Sequence, residues 1–346
     1  AVNANLLGTS GTDAFVLQSD GDVEVYNLSI SGMSVVDGNG GDDSLDASAY
    51  SDGLALTGTD NQVTAGSLTF DGIVSAITAA LTGTSGDDAF VITGDNALDV
   101  ADISFSELSS VDAGTGTDSV AALGVVTLTG VDNEASTSLI DFSGINSVSG
   151  GSLEGSANAD TFVVISNSNV TANNISFTGF GSTIDAKGGT DSVTGADGAD
   201  WTLTGTNKEA INSGITFSEV ESLTAVNANL LGTSGTDAFV LQSDGDVEAY
   251  DLSISGMSSV DGNGGDDSLD ASAYSDGLAL TGSNNQVTAG SLTFDGIVSA
   301  VTAALTGTSG DDAFVITGDN ALDVADISFS ELSSVDAGTG TDSVAA

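Results

Sequence analysis

The chain has 346 residues and sets 50 acidic side chains against two lysines, with no arginine or histidine, for a net charge of −48; even so, 40% of it is hydrophobic. That apolar content excludes a disordered chain, and the near absence of basic residues excludes nucleic acid and anionic membrane surfaces as partners. Without cysteine there is no disulfide framework and no thiolate chemistry, and the longest apolar stretch, Ile73 to Leu81, is too short for direct membrane insertion.

In chain order, the first element is a turn that runs into a strand. It reads G-x-x-G-x-D-A-F-V at Gly8 to Val16 and returns at Gly83 to Val91, Gly232 to Val240 and Gly307 to Val315. A diverged copy, GSANADTFV, spans Gly155 to Val163, with Asn158 in place of the second glycine. Asn tolerates a positive φ better than most residues, so the exchange predicts a left-handed residue there. A second turn reads D-x-x-x-x-G-x-D-S followed by Leu or Val: Asp37 to Leu45, Asp112 to Val120, Asp185 to Val193, Asp261 to Leu269 and Asp336 to Val344. Its closing aspartate lies 30 or 31 residues after that of the first turn. A third signature, seen in ISFSELSSV at Ile103 to Val111, occurs nine times. Its centre is Phe70, Phe105, Phe142, Phe177, Phe217, Phe294 and Phe329, with Ile30 and Ile254 in the other two copies.

These signatures sit inside a longer period that opens at Leu6, Leu81, Leu153, Leu230 and Leu305, giving repeats 6–80, 81–152, 153–229, 230–304 and a partial 305–346. Residues 1–122 also reappear as 225–346 with six differences. The text reads as one continuous repetitive array over 1–346, an excerpt of a longer repetitive chain. Segments such as AFVIT and VVTLTG are short, β-branched and alternating, 46 glycines punctuate them, and proline is absent. The expected fold is all-β, a parallel β-solenoid in which stacked repeats complete each other's interior, with phenylalanines in an internal ladder. A tandem array of β-sandwiches is the alternative, disfavoured because each repeat has few aromatics and no linker. A half-repeat of about 37 residues fits one large coil or two small ones at a rung spacing of about 4.8 Å. Trp201, Lys187 and Lys208 fall in the divergent third repeat and read as surface variation.

The Gly/Asp turns resemble the nonapeptide of repeats-in-toxin proteins, G-G-x-G-x-D-x-U-x; GNGGDDSLD at Gly38 to Asp46 matches it except at Asn39. In texture the whole chain is similar to giant repetitive bacterial surface proteins and adhesins. The first likeness implies Ca²⁺ between stacked turns. Its candidate ligands are the first-turn aspartates Asp13, Asp88, Asp160, Asp237 and Asp312, with Asp37, Asp43, Asp112, Asp118, Asp185, Asp191, Asp261, Asp267, Asp336 and Asp342 from the second turn. This sequence departs from the toxin pattern because its motifs stand alone, so convergence depends on the coil. The competing reading is that Asp and Gly simply make good turns.

An enzyme is not expected. Only carboxylate-pair chemistry is open without His, Cys or Arg, and near-identical copies offer no single irregular place for an active site. The expected function is a structural and adhesive stalk or filament segment, extracellular on a bacterial cell surface and stabilised or bundled by cations. Its partners would be neighbouring repeats, copies of the same protein, a cell surface or a polysaccharide. A calcium-binding module of a secreted toxin or enzyme is the alternative.

Overall fold

The computed structural model describes residues 4–137 and 139–346. Among these, 44 strands form and no helix does. The coils stack in parallel as a β-solenoid of about 11 turns. The chain divides into two compact units, residues 1–156 with 171–181, and residues 157–170 with 182–346.

In the first unit, Ala14–Leu17 pairs in parallel with Asp43–Asp46, which pairs with Ile73–Ile77, which pairs with Ile103–Ser106. In the second, Ala238–Leu241, Asp267–Asp270, Ile297–Val301 and Ile327–Ser330 form the same ladder. Ladder partners are about 30 positions apart, as in Phe15 with Leu45, so the spacing of the two turn motifs is the spacing of the rungs.

A three-stranded antiparallel meander interrupts each run of parallel rungs. In the first unit Ala89–Gly94, Ala97–Val100 and Ile103–Ser106 form one. It doubles back along the chain: its closing strand docks on the earlier coil at Ile73–Ile77, and its opening strand receives the later Asp118–Leu128. The next meander, Asp118–Leu128 with Glu134–Ser136 and Asp141–Ser143, lies on the other ladder, where Leu81, Val111 and Phe142 are partners. Meanders alternate faces, so two half-repeats are needed to regain the starting geometry. The half-repeat is therefore neither one simple coil nor two.

Alternating residues face inward, as a pleated strand requires. The rows Phe15–Leu45–Ala76–Phe105 and Phe90–Val120–Val148–Phe177 in the first unit, and Phe239–Leu269–Ala300–Phe329 in the second, are buried throughout. The expected phenylalanine ladder is therefore corrected. In these rows Phe stands at the two ends, on the meander strands, with Leu, Val or Ala between. Rings meet instead across the core at edge or tilted angles, Phe90 with Phe142 at 6.2 Å and Phe162 with Phe217 at 6.1 Å, the geometry that aromatic quadrupoles prefer to face-to-face stacking.

The near-identical copies provide an internal control on stacking. Val111 and Val120 are buried, whereas their equivalents Val335 and Val344 are 42% and 67% exposed; Leu252 is buried and its equivalent Leu28 is 64% exposed. The same side chain is covered only where another coil lies against it. Covering a Val or Leu contributes about 1.5–3 kcal/mol.

Trp201 is not surface variation but is fully buried. It takes the ladder place of Leu54, as its pairing with Leu230 matches that of Leu54 with Leu81. Its cross-strand partner is Asn212. Room for both comes from Gly195, where a Cβ would lie 2.9 Å from Trp201 Nε1 and from Asn212 Nδ2. Asn212 is itself buried, accepting from Ala196 N–H and donating to Ala199 C=O.

Candidate functional site

The recurring aspartates line up at the entries of the parallel strands. In the first turn, the closing aspartate folds back on its own loop: Thr9 N–H donates to Asp13 Oδ2 at 2.7 Å, and Thr84, Thr233 and Thr308 donate to Asp88, Asp237 and Asp312 at the same distance. In the second turn, the closing aspartate reaches the previous coil. Asp43 Oδ1 accepts the Asp13 N–H at 2.7 Å; Asp118, Asp191, Asp267 and Asp342 accept those of Asp88, Asp160, Asp237 and Asp312 at 2.7–3.0 Å. Each second-turn carboxylate thus replaces a ladder acceptor between coils, using charge-assisted bonds.

The remaining five candidates, Asp37, Asp112, Asp185, Asp261 and Asp336, do neither. Each accepts the N–H two residues on, at 2.8–3.1 Å: Asn39, Gly114, Lys187, Asn263 and Gly338. This local turn is the Asp habit that competes with regular structure. The donating residue adopts a positive φ, 71° at Asn39, 70° at Lys187 and 70° at Asn263. The left-handed position is therefore in the second turn. Asn158 is not among the positive-φ residues, nor are the first-turn glycines that it replaces, so that expectation is corrected. The close approach falls on the second-turn glycine: a Cβ on Gly265 would lie 2.6 Å from the Gly235 carbonyl oxygen one coil earlier, whereas one on Gly235 would meet nothing nearer than Thr233 Oγ1 at 3.7 Å.

One consequence recurs. Asp43, Asp118, Asp191 and Asp267 are 0% exposed, and in each Oδ2 has no hydrogen-bond partner. At Asp43 and Asp267 a glycine sits against that oxygen, since a Cβ on Gly38 or Gly262 would fall 2.1 or 2.2 Å from Oδ2; beside Asp118 and Asp191 the same place is held by Ala113 and Ala186. Burial pushes the carboxyls of Asp118, Asp191 and Asp267 up, with the neighbouring aspartates adding to it. Asp13 is the opposite case. The Tyr26 hydroxyl bonded to it, with Thr9, holds its carboxyl below the ordinary value against the effect of burial.

Sequence reasoning missed three groups here. Asn146 and Glu221 form a further rung by accepting the N–H of Asp118 and Asp191, at 2.7 and 2.6 Å. Burial raises the Glu221 carboxyl, but Lys208, at 2.7 Å, and the Asp191 N–H outweigh it and leave it lowered. A column of asparagines, Asn61, Asn133 and Asn285, stitches meander turns together, as when Asn285 Nδ2 donates to Ile297 C=O and Asp326 C=O. Their recurrence just before a Gln or Glu, in DNQ, DNE and NNQ, was the available signal.

As donors for a metal, the motifs bring carboxylates together in pairs. Among the described residues, no three His, Cys, Asp or Glu side chains are grouped to hold an ion. A site made only of carboxylates is thus not formed. Each inner carboxylate of the second turn at Asp43, Asp118, Asp191 and Asp267 keeps one buried oxygen without a hydrogen-bond partner, the donor type that hard cations take. Comparison with protein-family models and with curated proteins gives no match for this chain.

Proposed function

We propose that the chain is a structural segment of an extracellular bacterial stalk or filament, adhesive through what it displays, with its turn aspartates serving as fasteners between coils. One observation carries this reading: the second-turn carboxylates accept backbone N–H groups from the preceding coil at 2.7–3.0 Å. The most regular acids in the sequence are thus engaged in holding the backbone. Near-identical copies supply length rather than a specialised place. The scarcity of basic residues leaves trypsin-like proteases only Lys187 and Lys208, an advantage outside the cell. Its partners are neighbouring repeats and further copies of the same protein, with a cell surface or polysaccharide as the adhesive target. Two measurements test the reading. Electron microscopy of a chain with residues 1–224 duplicated should show particle length growing with repeat number, and immunogold labelling should mark the outside of intact cells. Saturable catalysis of any glycan by the purified chain would overturn it.

A second reading adds to the first: the chain takes up Ca²⁺ or a cation like it. The buried unpaired Oδ2 atoms of Asp43, Asp118, Asp191 and Asp267 favour it, since a desolvated carboxylate without a donor is costly and a cation removes that cost. Calcium that leaves the thermal unfolding of the chelator-treated chain unchanged would remove this reading and leave the scaffold standing.

A further inference from the structure

We propose that the outer aspartate of the second turn, Asp261, is a positioning residue that keeps the buried carboxylate of Asp267 open to a hard cation such as Ca²⁺. This rests on the cation reading above and says which residue creates the site.

The two turns are the same loop with a paired exchange: Leu231 stands where the second turn has Asp261, and Thr233, whose hydroxyl also donates to Asp237, stands where it has Asn263. Leu231 and Asp261 are ladder partners, and from them the loops run in register: Gly232 with Gly262, Thr233 with Asn263, Gly235 with Gly265, Asp237 with Asp267. In the first loop Thr233 N–H caps Asp237 Oδ2 at 2.7 Å. In the second, the equivalent N–H, that of Asn263, is turned to Asp261 Oδ1 at 2.8 Å with φ at +70°. Asp267 Oδ2, in the place of the capped oxygen, is left buried and without a donor.

The same exchange accompanies the same outcome elsewhere. Leu7 and Thr82 precede loops whose aspartate is capped by its own Thr. Asp37 and Asp112 precede loops in which that N–H is captured and the inner oxygen is unpaired. Lys187 N–H is captured by Asp185 likewise, and Asp191 Oδ2 is unpaired. The outer aspartate therefore removes the internal donor that would compete with a cation. At Asp267 the neighbouring residue is Gly262, whose Cβ would lie 2.2 Å from the unpaired oxygen; beside Asp118 and Asp191 the same place holds Ala113 and Ala186. Of the fifteen motif aspartates, only the inner ones of the second turn become ligands; the outer ones make them available.

The test counts Ca²⁺ bound per full-length chain by equilibrium dialysis and compares variants by unfolding midpoint in chelator. Asp261→Leu installs the first-turn residue. It should bind one ion fewer while its midpoint in chelator holds or rises, because Asn263 N–H returns to Asp267. Leu231→Asp should bind one ion more. Asp267→Asn should bind one fewer with no gain in chelator. If Asp261→Leu keeps the full count while Asp267→Asn loses an ion, the positioning role is overturned and the cation reading survives. If the unaltered chain binds no Ca²⁺, the cation reading fails and this inference fails with it. Should Asp261→Leu not fold, by circular dichroism, the gain of an ion in Leu231→Asp decides, and its absence overturns the proposal.

Discussion

At Gly262 one methyl group would force the turn to shift. Its Cβ would lie 2.2 Å from Asp267 Oδ2 and 2.8 Å from Cγ, so the carboxylate that accepts the Asp237 N–H must give way. Ala113, Ala186 and Ala337 hold the equivalent place in other copies, where the carboxylate still accepts from the previous coil, so Gly262→Ala should lower stability by only about 1 kcal/mol, the low end of the range for overpacked interiors, whereas Gly264→Ala, whose nearest neighbour is 3.8 Å away, should leave the urea midpoint unchanged. Equal effects at the two sites would refute the close-packed turn. The copies also contain a natural substitution pair. In the second copy Asn284 Nδ2 donates to the Asp326 carboxylate between adjacent turns; in the first, the same places hold Asp60 and Asp102. The backbone stitch around them is the same, with Asn61 and Asn285 donating to Asp102 C=O and Asp326 C=O at 2.9 and 3.0 Å. Two carboxylates thus stand where a donor and an acceptor belong. Asp60→Asn should raise stability by about 1 kcal/mol, read as a higher unfolding midpoint at neutral pH, and Asn284→Asp should lower it.

At the scale of the element, the meander depends on its second turn. Tyr26–Asn27, Ala101–Asp102, Tyr250–Asp251 and Ala325–Asp326 all have both residues at positive φ, 50° and 57° for Ala101 and Asp102, the two-residue hairpin form that favours Asn-Gly. Alanine is strained there by roughly 1–2 kcal/mol, so Ala101→Gly should stabilise the chain by about 1 kcal/mol, and a fall in midpoint would contradict the assigned turn. The meanders also mark where the sequence was legible. The 30-residue interval from Asp13 to Asp43 gave the rung spacing, and the centres of the third signature, from Phe70 to Phe329, are the buried residues of the closing strands. The doubling back was not legible, because alternation specifies a strand but carries no sign for its direction: Ile103–Ser106 reads alike whether it continues the coil or returns to the one before. The candidate aspartates were found as a set but not sorted. Sorting depends on where one backbone N–H points, and the traces of that in the text are Leu7 against Asp37, six residues ahead of the closing aspartate, and Thr9 against Asn39, four ahead.

At the scale of the whole molecule, the question is how a chain of net charge −48 remains stacked, and the buried aspartates make the answer depend on pH. Asp118, Asp191 and Asp267 have carboxyls raised by burial, so folding favours their protonated form; their contribution is present below the unfolded carboxylate value and is lost as pH rises through the higher folded one. Asp13 works the other way: its lowered carboxyl contributes above the ordinary value, and that contribution is lost only as pH falls through its own. Acidification from neutrality to about pH 5, still above the ordinary carboxylate range, should therefore raise the midpoint of the metal-free chain as the buried oxygens take up protons, with stability falling again only at lower pH. A proton and Ca²⁺ would compete for the same oxygen, so the increment given by added calcium should shrink over that interval. Net charge also declines on acidification, and Asp267→Asn separates the two effects. It removes one raised carboxyl while changing the total charge by a single unit, so its midpoint should rise less between pH 7 and about 5 than that of the unaltered chain. Parallel curves for the two would assign the acid stabilisation to diffuse repulsion, which 1 M salt should then abolish by shortening the screening length to about 3 Å.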